Sequence, residues 1–139
     1  MRFWDSSAIT PLLVDEPDSD QRESCLREDG EILVWYGTRA ELESALNRRK
    51  REGSLGPDDE QSARRRMELL EISWLEVQPT VIVRDRALRL LRVHPLRAAD
   101  AFQLAAALVA CAEQTRGFLY YTNNARLREA AGAEGFHVT

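Results

Sequence analysis

Short apolar runs rich in β-favouring residues alternate with longer segments of helical period. The runs are Arg2 to Trp4, Glu31 to Trp35, Trp74 to Val77, Gly117 to Tyr121 and Gly135 to Val138. Between them, apolar positions recur every three or four residues in Ser7 to Val14, Asp20 to Glu28, Thr38 to Arg51 and Pro57 to Ile72. The same period continues through Val81 to Val93, Leu96 to Glu113 and Ala125 to Ala131, the mark of an amphipathic helix. Strands alternating with helices predict an α/β fold, a three-layer α/β/α sandwich with a central, mostly parallel sheet. At 139 residues the chain is read as one domain, 1–139, with enough length to bury a core.

Punctuation supports these boundaries. Thr38 is expected to cap its helix, with Glu41 three residues on as the capping-box partner. Pro57 followed by Asp58, Asp59 and Glu60 reads as an acid-rich helix start. Pro79 precedes the next helix, and His94-Pro95 separates that helix from the one carrying Asp100. Gly132 and Gly135 mark the end of the last helix.

In an open parallel sheet, ligands bind beyond the carboxyl ends of the strands. Asp5 stands at that end of the first strand, and Asn123 and Asn124 at that end of Phe118 to Tyr121. Each acid has a structural explanation beside a chemical one. Asp5 suits a helix N-cap. Glu41 suits the capping box, although its place beside Leu42 and Leu46 turns it inward. Asp100 shares a helical face with Leu104, Ala107 and Cys111, where a carboxylate needs a partner or a cation; Arg97 or another arginine is the candidate partner. Taken together, the acids point to Mg²⁺ or Mn²⁺, hard ions that prefer oxygen ligands and keep several waters. Such a site suits phosphodiester hydrolysis.

Composition narrows the alternatives. Nineteen basic residues against 23 acidic ones leave a formal charge of −4, which argues against binding nucleic acid by bulk positive charge. Lys50 is the only lysine and sits in a charged helix end, which disfavours an aspartyl-phosphate mechanism built on Asp5. His94 and His137 lie far apart and near no cysteine cluster, so zinc is not expected. There is no glycine-rich phosphate loop and no nucleophile elbow around Ser6 and Ser7. Cys25 and Cys111 form no CxxC pair and read as buried thiols of a reducing cytosol. No apolar stretch is long enough to span a bilayer, and the chain is expected to be cytoplasmic with no membrane partner.

Four segments together resemble the motifs of the PIN domain, in particular the VapC-type toxins of bacterial toxin–antitoxin modules. Phe3-Trp4-Asp5-Ser6-Ser7-Ala8 resembles the opening motif, and Glu41-Leu42-Glu43-Ser44-Ala45-Leu46 the second. Leu96-Arg97-Ala98-Ala99-Asp100-Ala101-Phe102-Gln103-Leu104-Ala105 is similar to the third and most specific, while Tyr121-Thr122-Asn123-Asn124-Ala125-Arg126-Leu127 occupies the place of Thr-x-Asp-x-x-Leu. The resemblance implies a metal-dependent ribonuclease acting on single-stranded RNA, with Asp5 and Asp100 as metal contacts and Glu41 assisting. It also implies a cognate antitoxin and a homodimer. Ser6, Thr122 and Asn123 are expected to support the site. Arg39, Arg48, Arg97 and Arg126 are candidate contacts to RNA phosphates, or simply solvated surface. The departure is Asn124, which stands where the motif has an acid. An amide oxygen can still face a cation but brings no charge, so weak catalysis, or an inactive module binding RNA or protein, is the alternative reading. A related nuclease acting on DNA is a third.

Overall fold

The computed structural model describes residues 2–139. Five strands form one sheet: β1 (Arg2–Trp4), β2 (Ile32–Trp35), β3 (Leu75–Val77), β4 (Leu119–Tyr121) and β5 (His137–Val138). Their order is β3-β2-β1-β4-β5, and every pairing is parallel. Seven helices connect or follow them: α1 (Ser6–Leu13), α2 (Ser19–Glu28), α3 (Thr38–Arg51), α4 (Pro57–Ser73), α5 (Val81–Val93), α6 (Ala98–Ala110) and α7 (Ala125–Ala133).

Strand alternation builds the three layers. Phe3, Leu33, Trp35 and Tyr120 point to one face and pack with α5, α6 and α7. Trp4, Ile32, Val34 and Tyr121 point to the other and pack with α1, α3 and α4. Because side chains two apart share a face, β2 is apolar throughout and buried on both sides. On α6, Ala101, Ala105, Ala106 and Ala107 are fully buried. Small side chains of this kind let a helix sit close to its neighbours, and α5 and α6 form the most extensive helix pair of the fold.

The chain moves outward from β1 through β2 to β3, then returns to place β4 on the other side of β1. The strand order therefore reverses between β1 and β4, which opens a crevice at their carboxyl ends. The Asp5 N–H donates to Tyr121 O across that gap at 3.0 Å, so the residue after β1 is locked to the end of β4.

Two local expectations are corrected. Thr38 does not cap α3: the cap is Gly37, with no side-chain cap bond, and Glu41 instead turns toward α6. The Asp100 helix starts at Ala98 and stops at Ala110; Ala112 and Glu113 take left-handed conformations (φ 50° and 65°), so the helix cannot run on to Glu113.

Candidate metal centre

Asp5 is both cap and site residue. Its side chain caps α1 by accepting from the Ser7 N–H, and it also accepts from the Ser7 and Thr122 hydroxyls, the latter at 2.9 Å. The Ser6 hydroxyl lies 3.5 Å from its Oδ1. At 3% exposure it is nearly sealed. Burial pushes its pKa up, against the pull of the Ser7 and Thr122 hydrogen bonds, and the Asp100 charge adds to the rise.

Glu41, on the first turn of α3, is half-buried and meets Gln103 of α6. Burial raises its carboxyl to about 7; the Gln103 hydrogen bond opposes this, while the charges of Asp5 and Asp100 reinforce it. Asp100 is half-buried rather than sunk in the apolar face. It occupies the first turn of α6, where the helix dipole favours a negative charge. Its hydrogen-bond partner is Asn124, whose Nδ2 donates to Oδ1 at 3.3 Å; Arg97 is exposed and does not pair with it.

Asn124 departs from the amide-oxygen expectation. Its Oδ1 accepts from the N–H groups of Arg126 and Leu127, capping α7. Turning the amide over would set NH₂ against two N–H groups, so the oxygen belongs to the helix and the NH₂ to Asp100. Thr122, fully buried, accepts from the Asn124 N–H and donates to Asp5. Asn123 faces away from the acids. Its N–H donates to Ser7 Oγ, its Nδ2 to Asp18 at 2.6 Å, and its Oδ1 accepts from Arg22.

Three residues carry parts of this arrangement without having stood out in the sequence. Ser7 joins Asp5 to the β4–α7 loop through its hydroxyl. Arg22, 3% exposed, donates to the backbone oxygens of Thr122 and Thr139. Gln103, fully buried, donates to Thr38 and Glu41. Ser7 and Gln103 lie inside the first and third motif segments, while Arg22 left no trace.

A groove of about 460 Å³ runs from Ser6, Ser7 and Glu41 past Ser44, Ala45, Arg48 and Arg49 to Asp18 and Asn123. The arginines near the acids divide. Arg39 is paired with Glu43 and Glu71, and Arg49 with Glu16. Arg48, Arg97 and Arg126 are exposed and make no side-chain ion pair among the described residues.

The acid cluster fits a hard cation by its donor chemistry. The Asp100 charge acts on Asp5, the charges of Asp5 and Asp100 act on Glu41, and all three raise the buried Tyr120 phenol. No Lys or Arg among the described residues forms an ion pair with any of the three. No three His, Cys, Asp or Glu side chains among the described residues stand together as a group able to hold a metal ion. Asp5 and Asp100, which sense each other's charge, are the pair left to consider for Mg²⁺, an ion that takes one or two carboxylates and keeps its remaining waters.

The family described as PIN domain matches residues 2–133. Among solved structures, PAE2754 from Pyrobaculum aerophilum superposes with a TM-score of 0.69 at 18% identity, covering 99% of this chain and 87% of that one. At that identity the likeness is one of fold. No curated protein matches the sequence. No helix among the described residues is long and apolar enough to cross a membrane.

Proposed function

Since this chain belongs to the PIN-domain family, whose members are generally metal-dependent nucleases, we propose that it is an Mg²⁺- or Mn²⁺-dependent endoribonuclease and the toxin of a toxin–antitoxin pair. The observation that supports this reading is that Asp5, beside the strand-order reversal, senses the charge of Asp100, and Glu41 that of both, with no Lys or Arg among the described residues in an ion pair with any of the three. Asp5 and Asp100 would hold the ion, with Glu41 beside them. The chemistry supplied by that ion, when bound, is activation of water and neutralisation of phosphoryl charge.

The chain's own groups divide the remaining work. Glu41, with its carboxyl raised to about 7, is poised to exchange a proton near neutral pH. Ser7 and Thr122 keep the Asp5 carboxylate in one orientation. Arg48, Arg97 and Arg126 offer guanidinium groups without an ion pair among the described residues for RNA phosphates; Arg39 is committed to Glu43 and Glu71 and is the weaker candidate. The cognate antitoxin and a homodimer belong to the same reading. The test is cleavage of structured RNAs by Mn²⁺-loaded protein beside Asp100→Asn. Loss of about 100-fold or more in the variant is expected for a group that holds the reacting centre, and equal activity in both sinks the proposal.

Asn124 favours a second reading. With its oxygen on the α7 cap and its NH₂ on Asp100, it adds neither charge nor ligand. A module that binds RNA or a protein but turns over slowly would have this site. Under that reading RNA binds without being cut, and Asn124→Asp switches cleavage on.

A further inference from the structure

Helices α3 and α6 lie in different layers, since Leu42 and Leu46 of α3 pack on one face of the sheet while Ala101 and Leu104 of α6 pack on the other. One side chain joins them at the site. Gln103 Nε2 donates to Thr38 Oγ1 at 3.0 Å and to Glu41 Oε2 at 2.5 Å. Thr38 and Glu41 are three apart on α3, and Asp100 and Gln103 three apart on α6, so each pair shares a helix face. Gln103 and Thr38 are both fully buried. Packing alone would be served by leucine there, as at Leu104 one residue later, yet the position holds an amide whose Oε1 is buried without a partner.

That orphaned oxygen reveals which end of the amide the site requires. Exchanging O and N would face an acceptor against the ionised Glu41 carboxylate, so in that state the donor end is held toward Glu41 and the acceptor is left over. We propose that Gln103 is a positioning residue: its amide fixes the Glu41 carboxylate of one layer relative to Asp100 of the other, setting the distance across which the acids share an ion. This rests on the nuclease reading for its catalytic consequence, but the clasp itself does not. The clasp predicts that Gln103 acts through Glu41 alone.

A double-mutant cycle reads that out. Gln103→Leu keeps the volume and removes the donor; Thr38→Val removes the second acceptor with almost no change of shape and serves if the first variant does not fold. Each is made in the wild-type chain and in Glu41→Gln. In the wild-type chain, Gln103→Leu is expected to weaken Mn²⁺ binding and lower kcat by about tenfold, with KM within about twofold, the scale of a misplaced reacting group. Thr38→Val moves both in the same direction by a smaller factor. In Glu41→Gln the same changes have no further effect beyond about twofold, because coupled residues are not additive. Equal losses in both backgrounds, or no loss in either folded variant, overturn the proposal.

The nuclease reading fails separately: a protein that binds Mn²⁺ but cuts no RNA ends that reading, while the cycle in Mn²⁺ affinity still decides the place of Gln103. The clasp is also visible with no metal present. The Gln103 side-chain amide signals in a ¹H–¹⁵N spectrum should move on Glu41→Gln, and signals that stay in place refute the clasp.

Discussion

At Asn124 the two ends of one amide serve different parts of the molecule, the oxygen closing α7 and the NH₂ holding Asp100. Aspartate keeps the first job, being an equally good cap, and reverses the second by placing a carboxylate against a carboxylate. Asn124→Asp should therefore lower metal-free stability by about 1–3 kcal/mol while tightening Mn²⁺ binding. Chemical denaturation with and without Mn²⁺ checks both; equal stability without metal would show that the Asn124–Asp100 contact carries nothing. Glu41 gives a second prediction. Its ordinary carboxyl value of 4.5 is raised to about 7 in the fold, so the folded state binds its proton more tightly than the unfolded chain. Its contribution is fully present below 4.5 and is lost as pH rises through 7. In chelator-treated protein the midpoint of Glu41→Gln should gain on that of wild type across this window, by up to about 3 kcal/mol from the linkage relation, and less to the extent that water screens the half-buried carboxyl. A difference that stays constant with pH contradicts the raised value.

Elements were the most legible level of this chain. Every helix and strand announced by periodicity is present, because apolar spacing is a local property and burial follows it. Pro57 at the start of α4 and Gly135, at φ +100°, just beyond α7 did what their chemistry requires. What failed was pairing at a distance. Thr38 followed three residues later by Glu41 satisfies the capping-box pattern, yet the two were claimed by Gln103, 65 and 62 residues away. Arg22 gave no sign at all, since a surface arginine and a buried one look alike in an arginine-rich chain. Asp100 was singled out in the sequence for an incomplete reason. It lies at the exposed start of α6, not within its apolar face, so the helix dipole explains part of its comfort. The apolar face itself belongs to Leu104, which is fully buried. Leu104→Ala should cost about 2–5 kcal/mol, against under about 0.5 kcal/mol for Leu88→Ala on the exposed side of α5. Thermal unfolding of the pair checks it, and similar losses in both would mean that α6 is not the central packing element.

For the molecule as a whole, the strand order β3-β2-β1-β4-β5 gathers residues separated by more than a hundred positions. Arg22 ties the far side of that gathering by spanning α2, the β4–α7 loop and the end of β5. Its guanidinium is buried; Arg22→Leu strips Asn123 Oδ1 of its donor, while Thr122 O keeps Arg128 and Thr139 O keeps the Thr122 N–H, and a loss of about 1–3 kcal/mol is expected. Unfolding measurements finding no loss would mean that water replaces it freely. The placement of β4 also bears on how the chain comes into being during synthesis. Until residues 119–121 have emerged, β1 has a neighbour only on its β2 side, and its other edge is an open template for stray pairing. Asp5 then lacks Thr122, and Asp100 lacks Asn124. A ribosome-bound chain stopped short of β4 would carry all three acids and no assembled centre. The closing step joins the first strand to the fourth, a contact of long sequence separation and therefore slow to form, which leaves Asp5 and Asp100 without their β4–α7 partners until that pairing is made.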